Sequence, residues 1–333
     1  MTRPRRAHAS APARIDFAGG WTDVPPFSGR EGGAVVAAAI TLRVHVNVLP
    51  GGDSVHLISQ DLGVEVVMRP DGSIEADARL PLVEAAMRSL PAGNCTVTVR
   101  SDAPNGSGLG TSGALGVALV GALRHARSEP SDPMAGAAKA WHLEAVDAGH
   151  PGGKQDQYIA ALGGFQLLEF HDPGVTAEPI ALDAAFADEL AGDLVLCYSG
   201  VSRVSGRMIA RVVEGYERGD ARITDAFRGM RNTAHAMREA LVAGDMARVG
   251  TLLDDNWRYQ QSLDRGMSTT EIGRIEAAAR AAGAIGVKAT GAGAGGSLVL
   301  LAPGRAAAVT EAARAAGATI LTYAWDWDGV KTW

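Results

Sequence analysis

The stretch 104-PNGSGLGTSGA-114 places four glycines and three hydroxyl side chains between two apolar segments. Before it, 94-NCTVTVR-100 alternates with a period of two, which predicts a strand, and after it 114-ALGVALVGAL-123 predicts a helix. Glycine is costly in ordered structure, so a cluster of four needs a reason. A glycine loop that runs into a helix N-terminus presents free backbone N–H groups and the positive end of the helix dipole. The stretch therefore predicts a phosphate-binding loop.

Other glycine-rich motifs compete with this interpretation. The P-loop pattern GxxxxGK[ST] is excluded, because no lysine follows these glycines. The pattern GxGxxG does occur, as 291-GAGAGG-296, but it precedes the strand-like 297-SLVLLA-302, whereas a dinucleotide-binding loop opens a helix. An ordinary strand-to-helix turn, with Thr111 or Ser112 near the N-cap, stays open. Four glycines in eleven residues favour the phosphate site over that turn.

Composition narrows the class of protein. The 333 residues are 47% hydrophobic and 20% charged, which suits one large globular domain or two intimately joined ones. A formal net charge of −6 argues against a nucleic-acid surface, and the basic residues Arg3, Arg5 and Arg6 are interpreted as a solvated tail. No secretory signal follows this tail, and the apolar run 32–42 is too short to span a bilayer. The expectation is a soluble cytoplasmic protein, with Cys95 and Cys197 as buried free thiols.

The order of predicted elements indicates an α+β fold with two lobes, because strands dominate the first hundred residues and helices cluster later. The predicted strands are 43–49, 63–68, 94–100, 163–170, 193–198, 286–290, 297–302 and 319–325. The predicted helices are 111–127 and 133–148, most of 205–282, and 305–316.

Three stretches together resemble the motifs of the GHMP kinase family: 12-PARIDFAGGWTD-23, 104-PNGSGLGTSGA-114 and 288-KATGAGAGG-296. Their order and spacing match over nearly the whole chain. The resemblance implies an α+β fold with a ribosomal protein S5-like N-terminal lobe over 1–170 and a ferredoxin-like C-terminal lobe over 171–333. Within the family, the chain looks most like the heptose 7-phosphate kinases and the kinase part of L-fucose kinases. The segment 152-GGKQDQY-158 favours the heptose branch, whereas Trp21, where heptose kinases usually carry glycine, favours the fucose branch.

The resemblance also implies roles for individual residues. The implied cofactors are ATP and Mg²⁺, with Ser112 and Glu144 as metal ligands. Asp156 is implied as the catalytic base, Arg14 as the cation that neutralises the migrating phosphoryl group, and Lys154 as a neighbour of Asp156 or of a substrate phosphate. The implied nucleotide-binding residues are Pro104, Gly106, Ser107, Gly108, Leu109, Gly110, Thr111 and Ser112. The implied substrate-binding residues are Gly20, Trp21, Asp23, Gly153, Arg203, Gly291 and Gly293.

Each of these roles has a structural alternative. Asp156 could cap a helix, Glu144 could be a surface carboxylate, Arg14 a solvated strand-edge charge, and Asp23 a turn residue. The expected function is an ATP-dependent sugar kinase that acts on an anomeric hydroxyl of a heptose 7-phosphate or an L-fucose-like sugar. A small-molecule kinase of another branch and an inactive ligand-sensing protein are the alternatives. The expected partner is a small sugar or sugar phosphate, not a nucleic acid or a membrane; a homodimer is left open.

Overall fold

Two β-sheets organise the computed structural model, which describes residues 5–69, 72–74, 80–172, 174–202 and 206–333. The strands in chain order are β1 (Ala7–Ala18), β2 (Gly33–Pro50), β3 (Val55–Ser59), β4 (Val64–Met68), β5 (Cys95–Ser101), β6 (Phe165–Phe170), β7 (Val175–Pro179), β8 (Leu194–Tyr198), β9 (Gly286–Ala289), β10 (Ser297–Leu301), β11 (Thr319–Ile320) and β12 (Lys331–Thr332). In the described part of the chain, the larger sheet has the order β12-β1-β2-β5-β3-β4, and the smaller one β11-β8-β10-β9.

Strand β2 is the central strand of the larger sheet. Its first half pairs with β6 and its second half with β5, while β1 runs antiparallel along its other edge. The apolar run that opens β2 is fully buried from Ala34 to Ile40, because both faces of the sheet are covered there. Strands β3 and β5 are parallel, and β7 extends the sheet beyond β6.

The helices cover both sheets. In chain order they are α1 (Phe27–Arg30), α2 (Pro81–Ser89), α3 (Thr111–Ala126), α4 (Pro133–His142), α5 (Gln155–Leu162), α6 (Ala184–Asp193), α7 (Gly206–Glu217), α8 (Ala221–Ala243), α9 (Met246–Leu263), α10 (Thr270–Ala282) and α11 (Ala306–Ala315). Helices α2 to α5 share an apolar core with one face of the larger sheet, and α8 and α9 pack on its other face. Helices α10 and α11 cover the smaller sheet. Within the described ranges, every helix is too short or too polar to cross a membrane.

The observed elements confirm the predicted α+β fold, but the sequence pattern missed strands β1, β3, β7 and β12, the first part of β2, and helices α1, α2, α5 and α6. Two predicted elements also end early. The helix predicted over 133–148 ends at His142, and a π-helical turn, Leu143–Asp147, follows it. The strand predicted over 319–325 is regular only at Thr319–Ile320, because the chain then crosses to the larger sheet and bridges Trp325 to Ile40. Cys95 and Cys197 are buried and free, as predicted. The lobe boundary at 170/171 stays a prediction.

An irregularity in β1 directs its polar side chains. The β1–β2 register shifts between Pro12 and Ala13 and again between Asp16 and Ala18. Before the first shift the buried alanines of β1 belong to the core beside α3, and after it Ile15 belongs to the core beside α8. Such shifts re-aim side chains beside functional sites. Here Arg14 comes to lie against Gly108, at the glycine loop.

Candidate active site

An open cleft of about 650 Å³ lies where three segments meet: β1, the glycine loop, and residues 288–296, here called the third glycine motif. The cleft gathers most of the residues that the resemblance singled out. These are Arg14, Trp21, Asp23, Gly106, Gly108, Gly110, Thr111, Ser112, Glu144, Gly153, Asp156, Gly291 and Gly293. Residues from five separate stretches of sequence therefore line one cavity.

Other predicted site residues lie outside the lining. Ser107 and Leu109 are fully buried, and Leu109 belongs to the core beneath the loop. Gly20 lies against Asp16: a Cβ at Gly20 would come within 2.1 Å of Asp16 Oδ2. Pro104 caps the loop, accepting the N–H of Ser107 at 3.1 Å. Arg203 lies outside the described residues.

The glycine loop has the backbone of an anion-binding site. Gly106, Gly108 and Gly110 have φ angles of +69°, +72° and +71°, a region that L side chains rarely adopt. Alternating conformations of this kind turn successive N–H groups toward one side. Gly110 is also the N-cap of α3 and makes no side-chain cap bond, so neither Thr111 nor Ser112 caps the helix. The first N–H groups of α3 therefore point toward the cleft without intrahelical partners.

The third glycine motif supports this loop from behind. Thr290 Oγ1 donates to Gly108 O at 3.0 Å. A Cβ at Gly291 would lie 2.7 Å from Gly108 O, and one at Gly296 would lie 2.9 Å from Ser107 O. The glycines at 291 and 296 are thus required for the close approach of two backbones. This explains the GxGxxG pattern without a dinucleotide.

Asp156 and Arg14 form the central ion pair of the cleft. Arg14 Nη2 lies 2.7 Å and Arg14 Nε 2.9 Å from Asp156 Oδ1, and Arg14 Nη1 donates to Gly108 O at 2.7 Å. Arg14 is 3% exposed, whereas the Asp156 side chain is 29% exposed and open to the cleft. Asp156 stands in the first turn of α5, whose N-cap is Lys154, so helix capping does not account for it. Gly113 gives it room, because a Cβ there would lie 2.6 Å from Asp156 Cβ.

Glu144 and Ser112 supply oxygen atoms at the opposite side of the loop. Ser112 Oγ donates to Glu144 Oε1 at 2.5 Å, and Gln157 Nε2 donates to Glu144 Oε2 at 2.7 Å. Burial raises the pKa of Glu144, while the bond from Ser112 lowers it. Mg²⁺ in nucleotide sites takes one or two protein oxygens together with phosphate oxygens. A hydroxyl and a carboxylate this close, beside the glycine loop, fit that donor set.

Asp23 is buried at the inner end of the cleft. Its Oδ2 accepts the backbone N–H of Gln155 at 2.9 Å, and its Oδ1 accepts from Gln155 Nε2 at 3.3 Å. Gly153 leaves space for it, since a Cβ there would lie 2.0 Å from Asp23 Oδ2. Burial raises the pKa of Asp23 to about 6, with the N–H of Gln155 opposing and the charge of Asp156 adding to the increase. The carboxyl group therefore holds its proton to a higher pH than a solvated aspartate does.

Two aromatic residues, Trp141 and Trp21, line the cleft. The ammonium of Lys154 lies 4.7 Å from the ring centroid of Trp141, so its contact is with this indole while Arg14 is the cation on Asp156. Trp21 adopts a φ of +79°, which is unusual for a residue other than glycine. Trp21 is 4% exposed, and within the described part of the chain its Nε1 has no hydrogen-bond partner. A strained, buried residue at a cleft is a common sign of function.

A second ion pair lies beneath the cleft and was not singled out from sequence. Lys288 Nζ lies 2.9 Å from Asp16 Oδ2 and also donates to Asp16 O at 2.9 Å. Both side chains are almost fully buried, and burial lowers the pKa of Lys288. A lysine alone in the apolar strand 286-GVKA-289 was the available signal, because buried lysines need a partner. Gln157 was missed because an amide carries no distinctive pattern.

Comparisons with known proteins identify the family. The N-terminal domain of GHMP kinases matches residues 80–164, and the GHMP kinase C-terminal domain matches residues 237–319. A mevalonate kinase from Methanothermobacter thermautotrophicus is 33% identical over 273 residues, which cover 81% of this chain and 83% of that protein. A D-glycero-alpha-D-manno-heptose 7-phosphate kinase from Campylobacter jejuni is 27% identical over 334 residues, 97% of each chain.

The fold agrees with these matches. A crystal structure described as a D-glycero-D-manno-heptose 1-phosphate kinase from Bacteriodes thetaiotaomicron superposes with a TM-score of 0.78 and covers 98% of each chain at 24% identity. The three motif-like stretches of the sequence meet in one cleft here, which contains the glycine loop, a paired carboxylate and a set of oxygen donors. The chain belongs to the GHMP kinase family, and it is an ATP-dependent phosphotransferase with an alcohol group as acceptor.

Proposed function

We propose that this kinase phosphorylates the anomeric hydroxyl of a heptose 7-phosphate. The observation that carries the proposal is the similarity to the Campylobacter heptose 7-phosphate kinase over 97% of both chains. The cleft offers what such a reaction needs: a phosphate loop, an orienting carboxylate and a buried acceptor for sugar hydroxyls.

Asp156 is the residue that orients the acceptor hydroxyl and takes its proton. Arg14 engages Asp156 Oδ1 through two N–H groups, which fixes the carboxylate and leaves Oδ2 for the substrate. Because Arg14 also bonds Gly108 O, one guanidinium links the base to the phosphate loop. This link fixes the distance between the attacking hydroxyl and the phosphates, the main requirement of phosphoryl transfer.

The N–H groups of the glycine loop and of the first turn of α3 bind the phosphate oxygens. Ser112 Oγ and Glu144 Oε1 are the atoms that would hold Mg²⁺ there. A bound Mg²⁺ neutralises charge on the phosphates during transfer. Asp23 accepts hydrogen bonds from vicinal sugar hydroxyls and is itself held by Gln155.

Lys154 is the cation we assign to the 7-phosphate. Its ammonium rests on Trp141, a residue that lines the cleft, and a lysine on an aromatic face can swing to a phosphate at small cost. Replacing Lys154 with alanine is expected to raise KM for heptose 7-phosphate about tenfold or more, the value of a charge-assisted hydrogen bond. KM for the unphosphorylated heptose stays the same.

A 6-deoxyhexose such as L-fucose is the second candidate acceptor, and the walls of the cleft favour it. Trp21, Val24, Ile209 and Ala292 form an apolar surface in the cleft that contains Asp23. A sugar methyl group would be buried against that surface, whereas a hydroxymethyl group would lose hydrogen bonds to water.

The test is an ADP-release assay with the full chain, Mg²⁺-ATP and a panel of heptose 7-phosphate, free heptose, L-fucose and mevalonate. Phosphorus NMR identifies the phosphorylated position. Lys139→Ala is the matched control for Lys154→Ala, since Lys139 pairs weakly with Asp147 away from the cleft lining. Preferred turnover of L-fucose would replace the first candidate with the second, and preferred turnover of mevalonate would overturn both.

A further inference from the structure

Helix α9 carries two buried amide side chains that the proposed reaction does not use. Asn256 is 0% and Gln260 1% exposed, and because they are four residues apart they share one face of the helix. Burying an amide is unfavourable unless it is hydrogen-bonded, so the bonds that each makes indicate its purpose. Both side chains reach backbone groups of the motifs that line the cleft.

Asn256 holds the turn that leads to Asp23. Its Oδ1 accepts the N–H of Gly19 at 2.8 Å. The carbonyl of Gly19 in turn accepts both the N–H of Thr22 at 3.0 Å and its hydroxyl at 2.7 Å. Gly19 itself is fixed, because its φ is +87° and a Cβ would lie 1.9 Å from Ala34 O. Asn256 therefore anchors the compact turn 19–22, directly before the buried carboxylate.

The bond to Gly19 is kept at the expense of stability. Asn256 Nδ2 is buried and has no hydrogen-bond partner among the residues that the structure describes. An unpaired buried donor is unfavourable, because it has given up its hydrogen bonds to water. An apolar side chain of similar size would avoid that cost but would leave Gly19 without its acceptor.

Gln260 holds the loop that supports the phosphate loop. Its Nε2 donates to Gly291 O at 2.9 Å. The same atom lies against Gly293, where a Cβ would come within 3.4 Å of it. Gly291 in turn touches Gly108 O closely enough that a Cβ there would lie 2.7 Å away. One helix thus contacts the turn 19–22, here called the acceptor turn, through Asn256, and through Gln260 it contacts the segment that packs against the phosphate loop.

We propose that Asn256 and Gln260 are positioning residues that keep the acceptor turn and the phosphate loop at a fixed distance and orientation relative to each other. Phosphoryl transfer depends on an approach of about 3–3.5 Å between attacking and receiving atoms, so a shift of either element by a fraction of an ångström lowers the rate. The inference goes beyond the proposed function and holds for any acceptor bound beside Asp23.

The test compares Asn256→Ala, Gln260→Ala, the double variant and Val249→Ala. Val249 is a fully buried residue of the same helix that lies among apolar side chains, so its variant reports the effect of destabilising α9 alone. Asn256→Ala is expected to raise acceptor KM about tenfold with unchanged affinity for a fluorescent ATP analogue; Gln260→Ala is expected to weaken that affinity about tenfold. Hydrogen exchange should accelerate at 19–23 in the first variant and at 290–296 in the second.

Either change alone already lets the two elements move apart. The fold-decrease in kcat of the double variant should therefore be smaller than the product of the fold-decreases of the two single variants. The proposal is overturned if both single variants behave like Val249→Ala, with a lower melting temperature but unchanged acceptor KM, nucleotide affinity and local exchange. The nucleotide and exchange measurements need no acceptor. A failure of the proposed substrate is therefore distinguishable from a failure of this inference.

Discussion

Two carboxylates of the cleft, Asp23 and Asp156, are held by partners of opposite kind. Asp156 bonds a buried guanidinium, whereas Asp23 bonds the amide N–H groups of Gln155. Burial raises the pKa of Asp23 to about 6, so its charge varies in the range where enzymes are assayed. Active sites give two acidic groups different roles by placing them in different environments.

Acceptor binding should therefore depend on pH through Asp23. As the pH falls through about 6, Asp23 gains a proton and loses its capacity to accept two hydroxyl bonds, so KM for the acceptor should rise while nucleotide affinity stays level. Steady-state kinetics between pH 5 and 8 measure this. An acceptor KM that is flat over this range would contradict the assignment of Asp23 to the acceptor.

The Asp23 carboxyl should also make the stability of the protein depend on pH, and here the protonated form is the favourable one. A carboxyl with a raised folded-state pKa contributes stability that is lost as the pH rises from its ordinary value of 3.8 through about 6. Asp23→Asn should thus stabilise the protein above pH 6, by up to about 3 kcal/mol for two pKa units. Chemical denaturation at pH 4 and pH 7.5 compares the variant with the parent.

Asp156 should control chemistry more than binding. Asp156→Asn removes the proton acceptor and is expected to lower kcat at least ~100-fold with little change in nucleotide affinity. Some loss of melting temperature accompanies it, because Arg14 loses its partner. Asp326→Asn is the matched control, since it breaks the similarly buried ion pair with Arg43 outside the cleft. If both variants lose stability alike and both keep turnover, Asp156 has no part in the mechanism.

Among elements, two α-helices and a π-helical turn converge on the glycine loop. Helix α3 begins at it, the π-helical turn after α4 carries Glu144, and the first turn of α5 carries Asp156. A π-helical turn often marks a functional site, because the extra residue rotates the side chains that follow. Here it brings Glu144 opposite Ser112, 32 residues earlier in the chain.

Ser112→Ala should weaken the use of Mg²⁺ without harming the fold, because Ser112 is exposed at the start of α3. We expect the Mg²⁺ concentration needed for half-maximal ATP binding to rise several-fold as one oxygen ligand is lost. Calorimetric titration of the nucleotide at several Mg²⁺ concentrations measures this. Ser131→Ala, an exposed serine before α4, is the control, and equal Mg²⁺ dependence in both variants would count against Ser112 as a ligand.

At the scale of the molecule, the site exists only where the two sheets meet. Asp16 lies in β1 of the larger sheet and Lys288 in β9 of the smaller one, and their ion pair is sealed from solvent. A buried pair of this kind adds little net stability, yet removal of one partner is strongly destabilising. The pair therefore makes the relative placement of the sheets, and of the motifs on them, specific.

Features set by adjacent residues could be predicted from the sequence, whereas contacts between segments far apart in the chain could not. The strand, glycine loop and helix around 104–114 could be predicted because each signal lies within a few adjacent residues. The partners of Asp156 and Asp16 could not, since Arg14 and Lys288 are 142 and 272 residues away in the chain. The tight packing of Gly108 could not be predicted either, since a Cβ there would lie 2.9 Å from the distant Thr290 O.

Because the chain has few lysines and Lys288 is buried, the chemical reactivity of Lys288 can report whether the two sheets stay together. The chain contains four lysines, Lys139, Lys154, Lys288 and Lys331. Lys288 is 0% exposed, whereas the side chains of Lys139 and Lys331 are partly open to solvent. An amine-acylating reagent followed by peptide mass spectrometry should modify Lys139 and Lys331 within minutes and leave Lys288 unmodified until the two sheets separate. Acylation of Lys288 at the same rate as Lys331 in the folded protein would contradict the sealed pair; slow acylation would instead time the opening of the molecule.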